Sequence, residues 1–208
     1  MPESAEDYYA RILNAADEHG RLPVAVTEMP GWDIFPFEVE SLRLKPLRPL
    51  LDAEPERRGE SPQECWCAKQ ESLSPIVWSN ERWMVTHTES GLPLMAILSP
   101  RAHHDLADLP TELAAELGQL TVALAGAIEE LPSVGRTHIA RWGDGGAHLH
   151  LMFLGRPRRA GQFRGSPLVD WEENLPRVPT AVADDNAAFV ADRMVARVGG
   201  TALGRVDS

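Results

Sequence analysis

His148 and His150 stand one residue apart, just after the run Gly143-Asp144-Gly145-Gly146-Ala147. In an extended segment successive side chains point to opposite faces, so Leu149, Leu151 and Phe153 share one face, which reads as core. His148, His150 and Met152 share the other. At a rise of about 3.3 Å per residue the two imidazoles sit about 7 Å apart at the backbone. A glycine-rich turn beside them offers backbone N–H groups that can bind an anion. A neutral imidazole near pH 7 can attack phosphorus and split one difficult displacement into two easier ones. The same two-residue spacing also fits a polar strand face with no chemistry, so the rest of the chain must decide.

The elements that would hold this stretch follow from periodicity. Residues 137–142 read as a strand, and the 143–146 turn leads into a strand over 148–154, giving a hairpin. Leu113, Leu117, Leu120, Leu124, Ile128 and Leu131 step by three or four, which predicts an amphipathic helix over 110–131. Pro110 lies near its start and Pro132 ends it. Before it, residues 75–78 and 83–87 read as strands, and the apolar run 94–98 as a buried one. A second helix is expected over 181–198, stopped by Gly199-Gly200, and another over 4–19, stopped by Gly20. Between them lies a proline-rich stretch, 23–62, with extended pieces at 32–37 and 39–44; residues 171–174 read as irregular. Tight turns between neighbouring strands argue for an antiparallel sheet with helices segregated to one face, an α+β fold. The expected organisation is an N-terminal extension, 1–62, a core, 63–156, and a C-terminal extension, 157–208, ending in a helix.

The 208 residues carry a net charge of -11. A general nucleic-acid binder would need a basic stripe, so no nucleic-acid partner is expected, whereas a single phosphate needs only a few local donors. No apolar run approaches the roughly 20 residues that span a bilayer, so no membrane partner is expected. Residues 1–20 are acidic and lack a secretory pattern, which makes a cytoplasmic location the expectation. The cysteines are Cys65 and Cys67, and in a reducing compartment such a close pair reads as a metal site or free thiols.

Four features occur in one order: the pair Cys65 and Cys67, the segment Pro100-Arg101-Ala102-His103 at the end of a strand, the long amphipathic helix, and the glycine-rich turn before His148-Leu149-His150-Leu151. Together they resemble the histidine-triad superfamily of nucleotide hydrolases and nucleotidyltransferases. The resemblance implies an antiparallel sheet with helices on one face and a nucleotide or nucleotide-like ligand. It implies a nucleotidyl-histidine intermediate on His150, with His148 beside it. The N–H groups of Gly145, Gly146 and Ala147 would face the phosphoryl oxygens. His87, Glu89, Arg141 and Arg156 are the further candidates for substrate contact. Met152 stands where the family has His or Gln, and its thioether is a weak acceptor with no proton to donate. Thr88, followed by Glu89, falls where one branch has an acidic residue that grips ribose, and Arg141 near where that branch has Asn.

The resemblance further implies structural zinc on Cys65, Cys67, His103 and His148, with His104 as rival to His103; Cys₂His₂ suits tetrahedral zinc. Two open alternatives are a catalytically silent, zinc-stabilised nucleotide-binding protein and a non-phosphoryl reaction on the same fold. A homodimer through helix and edge-strand contacts is implied too, with the terminal extensions covering those surfaces as the alternative. His19 and His138 read as structural. Arg156, Arg158, Arg159 and Arg164 form a basic cluster, either a solvated face or a phosphate contact.

Overall fold

Trp83, Val85 and His87 alternate with Met84 and Thr86 along a strand that ends up near the middle of the sheet. In the computed structural model the described residues are 13–24, 32, 35–38, 42–69 and 74–203. The chain divides into two units, Met1–Pro55 and Glu56–Ser208. In the first, the Asp17 carboxylate accepts from the N–H groups of His19 and Arg21, and the Arg21 guanidinium donates to the Leu44 carbonyl at 2.6 Å. The helix expected over 4–19 lies mostly outside the described residues, as do parts of the extended pieces at 32–37 and 39–44.

The second unit holds strands β1 (Ile76–Ser79), β2 (Trp83–Thr88), β3 (Met95–Pro100), β4 (Val134–Ala140), β5 (Leu151–Pro157) and β6 (Thr201–Ala202). Its helices are α1 (Thr111–Glu129), α2 (Leu168–Asn174) and α3 (Thr180–Val198). The strands form one sheet in the order β4-β5-β3-β2-β1-β6, antiparallel at every pairing. The class is α+β.

One face of the sheet carries Trp83, Val85, Ala96, Leu98 and Phe153, and the two long helices cover it. The stripe on α1 buries Leu117, Leu120, Leu124 and Ile128, each worth about 1.5–3 kcal/mol of transfer free energy. Helix α3 adds Ala187, Val190, Ala191 and Met194, then ends in two glycines with positive φ, Gly199 and Gly200, which pass the chain into β6. The Gly199 carbonyl accepts from the Trp78 indole N–H at 2.8 Å.

The opposite face is layered by register. Met84 lies opposite Ser99; Thr86, Ile97 and Met152 form the next row; Thr88, Met95 and Leu154 form the third. The third row packs beneath Leu92 and Leu168, with Phe163 and Leu175 against them. Residues 171–174, expected to be irregular, belong to the short helix α2. Its signal is hidden because the buried position at its centre is an acid, Glu172. That carboxylate accepts from the Ser90 hydroxyl and the Gly91 N–H and pairs with Arg177. C-terminal residues thus cap this face of the sheet at the third row and leave the first two rows open.

Candidate functional site

The strand expected over 148–154 begins at Leu151 instead. The residues ahead of it spend their backbone groups on other segments. Ala147 N–H donates to the Arg58 carbonyl at 3.0 Å, and Leu149 N–H to the His104 carbonyl at 2.7 Å. Ten residues, 141–150, therefore connect β4 to β5 in place of a tight turn. The face alternation still holds: Leu149 and Phe153 are fully buried in the core, while His148, His150 and Met152 line a cleft of about 550 Å³.

The open rows of the sheet, Met84, Thr86, Ile97, Ser99 and Met152, line this cleft. So do the glycines Gly145 and Gly146 with Trp142, and residues 58–69, which bring Arg58, Glu64, Cys65, Trp66 and Lys69. Arg58 pairs with Gly146 in a parallel bridge, in which Arg58 N–H donates to the Gly145 carbonyl at 3.3 Å.

Cys65 and Cys67 lie in a run of turns closed by Ala68 N–H to the Cys65 carbonyl and Lys69 N–H to the Trp66 carbonyl. Both thiols meet histidines. The Cys65 Sγ is 3.4 Å from His148 Nδ1, and the Cys67 Sγ is 3.8 Å from His103 Nδ1. All four ligand atoms lie within 4.8 Å of one another. A tetrahedral zinc with these ligands has edges of about 3.4–3.8 Å, so the donor set fits the ion. The rival His104 turns away, its Nδ1 3.9 Å from the Asp108 carboxylate.

The partners of His148 fix its tautomer. Its Nε2 is 2.8 Å from the Pro100 carbonyl, which can only accept, so Nε2 carries the proton and Nδ1 turns its lone pair toward the thiols. Burial, the largest cause, holds the His148 imidazole below its usual range against the opposing bond to the Pro100 carbonyl, with smaller lowering contributions from His103, His150 and His104; this favours the neutral ring that a metal site would need. Burial and then the neighbouring Cys65 push the Cys67 thiol up to about 11. The Trp66 ring leans on the His148 ring, centroids 4.4 Å apart.

His150 has carbonyls at both ring nitrogens. Nδ1 is 2.8 Å from the His148 carbonyl, and Nε2 is 3.0 Å from the Trp142 carbonyl. A neutral ring donates to one of them only.

The turn is pinned from behind. Asp105 pairs with Arg57 at 2.6 Å and with Arg141, and Arg57 also reaches the Gly143 carbonyl at 3.3 Å. Burial raises the Asp105 carboxyl, but bonds from Arg57, the Leu106 N–H and Arg141 outweigh it and hold it below the usual carboxylate range.

Of the other sequence candidates, Gly145 and Gly146 line the cleft, while the Ala147 N–H is taken by Arg58. His87 lies on the helix-facing side of β2, its Nε2 3.5 Å from Asp184 of α3, because odd and even positions on that strand face opposite ways. Glu89 is exposed beyond the end of β2. Arg141 is committed to Asp105. Arg156 lies six residues along from His150, about 20 Å in an extended chain, with its guanidinium on the Pro157 carbonyl. Four cleft residues lie outside the sequence motifs: Arg58, Trp66, Lys69 and Trp142. Nothing in their spacing marks them, since segment 58–69 meets the 143–150 turn only in three dimensions.

No protein-family model and no curated protein sequence matches the chain. Solved structures do. A zinc-bound histidine triad family protein from Mycobacterium smegmatis is 19% identical, with 63% of this chain and 92% of that chain covered and a TM-score of 0.47. A histidine triad protein from Marinobacter aquaeolei VT8 is 20% identical over 60% of this chain and 91% of that chain, TM-score 0.45. A hypothetical histidine triad nucleotide-binding protein from Sulfolobus tokodaii strain7 is 12% identical over 67% of this chain and 98% of that one, TM-score 0.47. These are likenesses of fold.

Proposed function

We propose that the protein is a histidine-triad enzyme that hydrolyses a nucleotide or nucleotide conjugate, or transfers its nucleotidyl group, through His150. The observation that carries this reading is the bond between His150 Nδ1 and the His148 carbonyl at 2.8 Å. With the proton on Nδ1, Nε2 keeps its lone pair and edges the cleft. Nε2 attacks the α-phosphorus as the bond to the leaving oxygen breaks. The leaving group departs with that electron pair and takes up a proton. Water or a second phosphate then attacks the phosphoramidate, and His150 is returned neutral.

The attack requires the Trp142 carbonyl to move off Nε2. In this reading an incoming phosphoryl group takes the place of that carbonyl as the Trp142 peptide rotates. The N–H groups of Gly145 and Gly146 are the turn donors left for phosphoryl oxygens, since Ala147 is bonded to Arg58.

Zinc on Cys65, Cys67, His103 and His148 has a structural part in the proposal. Cys65 and Cys67 on one side and His103 and His148 on the other would hold it, and it would then tie segment 65–67 to the chain just after β3 and steady the His148 ring, and with it the carbonyl that orients His150. The site residues are thus His150 and His148 for chemistry, Gly145 and Gly146 for the phosphate, and the four metal ligands. A cytoplasmic location and a homodimer belong to the same proposal; among the described residues no helix is long and apolar enough to cross a membrane.

A second reading has its own support. Met152 has no proton to donate at the third triad position, and the Trp142 carbonyl stands over Nε2. Both favour a zinc-stabilised nucleotide-binding protein without turnover. Nucleoside phosphoramidates, dinucleoside polyphosphates and nucleotide sugars, offered to wild type and His150→Ala, separate the two. The enzyme reading expects turnover of at least one class that the variant abolishes. Binding with no turnover across the panel supports the second reading.

A further inference from the structure

Met152 leaves the proposed phosphate site short of one donor, and the cleft contains a replacement that the family's motifs do not include. Arg57 and Arg58 run alongside the glycine turn, so their side chains leave on opposite sides. Arg57 goes behind, to Asp105, Glu60 and the Gly143 carbonyl. Arg58 goes to the front, where it lines the cleft with His150 and Met152. Two backbone bonds hold it there: Arg58 N–H to the Gly145 carbonyl, and Ala147 N–H to the Arg58 carbonyl. Its Nε lies 3.3 Å from the Gly145 carbonyl, a long single contact. Both terminal nitrogens are without an acceptor among the described residues, whereas the Arg57 and Arg141 guanidinia are both tied to Asp105.

We propose that Arg58 is the phosphate-binding residue of this cleft, supplying through its terminal N–H groups the charged donor that the third triad position lacks. The ligand class follows: a phosphate monoester or phosphoanhydride whose anionic group sits between Arg58, the Gly145 and Gly146 N–H groups and His150. Planar guanidinium donors match two phosphoryl oxygens at once, which neither a thioether nor a single amide does. The proposal rests on the phosphoryl reading of the cleft, and its test separates the two.

Zinc-loaded wild type, Arg58→Gln and Arg58→Lys are titrated calorimetrically with AMP, adenosine and pyrophosphate, after metal content and melting temperature establish that each is folded. Wild type is expected to bind AMP at least tenfold more tightly than adenosine. R58Q is expected to bind the two about equally and to lose pyrophosphate, and R58K to recover part of the preference. A preference unchanged in R58Q overturns the role of Arg58 and leaves the nucleotide reading standing. Pyrophosphate bound by wild type and lost in R58Q, with no affinity for AMP or adenosine, supports Arg58 and sinks the nucleotide reading. No affinity of wild type for AMP or pyrophosphate overturns both.

Discussion

The His148 carbonyl stands 2.8 Å from the Nδ1 of His150, so one backbone group joins the ring that belongs to the Cys₂His₂ cluster to the ring that faces the cleft. The His148 ring is in turn held between Cys65 at 3.4 Å and the Pro100 carbonyl at 2.8 Å. Whatever loosens the cluster must therefore disturb the orientation of His150.

Cys67 and His103 provide the test, because they belong to the cluster but do not line the cleft. Untagged wild type should carry about one zinc per chain. Cys67→Ser and His103→Ala should lose it, together with about 5 °C or more of melting temperature, given roughly 2–4 °C per kcal/mol at this size. Turnover should fall with the metal although neither residue touches substrate. Full metal content in both variants, by elemental analysis, would count against the four-ligand site.

Gly91 lies under the C-terminal cap of the sheet. A Cβ there would meet the Leu175 Cβ at 2.4 Å and its carbonyl oxygen at 3.1 Å, and backbone cannot swing aside as a side-chain tip can. Gly91→Ala should cost about 1–3 kcal/mol in a denaturant titration. The Glu172 bond to the Gly91 N–H and the packing of Leu168 should loosen with it. An unchanged midpoint would mean that the cap adjusts freely.

His138 on β4 gives a pH signature. Burial, and then the charge of Arg156, lowers its imidazole below the ordinary range. The folded state therefore takes up this proton less readily than the unfolded chain. The resulting stability is fully present above the unfolded value of about 6.5 and is lost as pH falls through the lowered folded value. In the zinc-loaded protein, His138→Gln should flatten the decline of stability below about pH 6.5. An identical slope in the variant would refute the assignment.

How much of this was legible in the sequence depends on range. The stripe from Leu113 to Leu131, the alternation around Val85 and the double glycine at 199–200 are local patterns, and they produced α1, β2 and the end of α3 close to their expected bounds. The Cys₂His₂ cluster could be named because its four residues sit in motifs of recognisable order. Helix α2 was missed because its central buried residue, Glu172, is an acid whose partners, Ser90 and Gly91, lie 82 and 81 residues away. The start of β5 was misplaced for a similar reason: its neighbours Ala147 and Leu149 bond to Arg58 and His104, which no local period can report. Arg58 itself is one charge among many until the bridge to Gly146 brings it to the cleft. The sequence candidates for substrate contact, His87, Glu89, Arg141 and Arg156, are not among the residues lining the cleft, because strand parity, strand length or an ion pair directs them elsewhere.

The measurement that bears most directly on the proposed role of His150 is the intact mass of the protein rapidly quenched during incubation with a substrate, followed by peptide mapping. A transient adduct of one nucleotidyl group is expected, acid-labile as a phosphoramidate is, confined to His150 and absent from His150→Ala. Turnover with no adduct at any time point, or an adduct that persists when His150 is replaced, would contradict it.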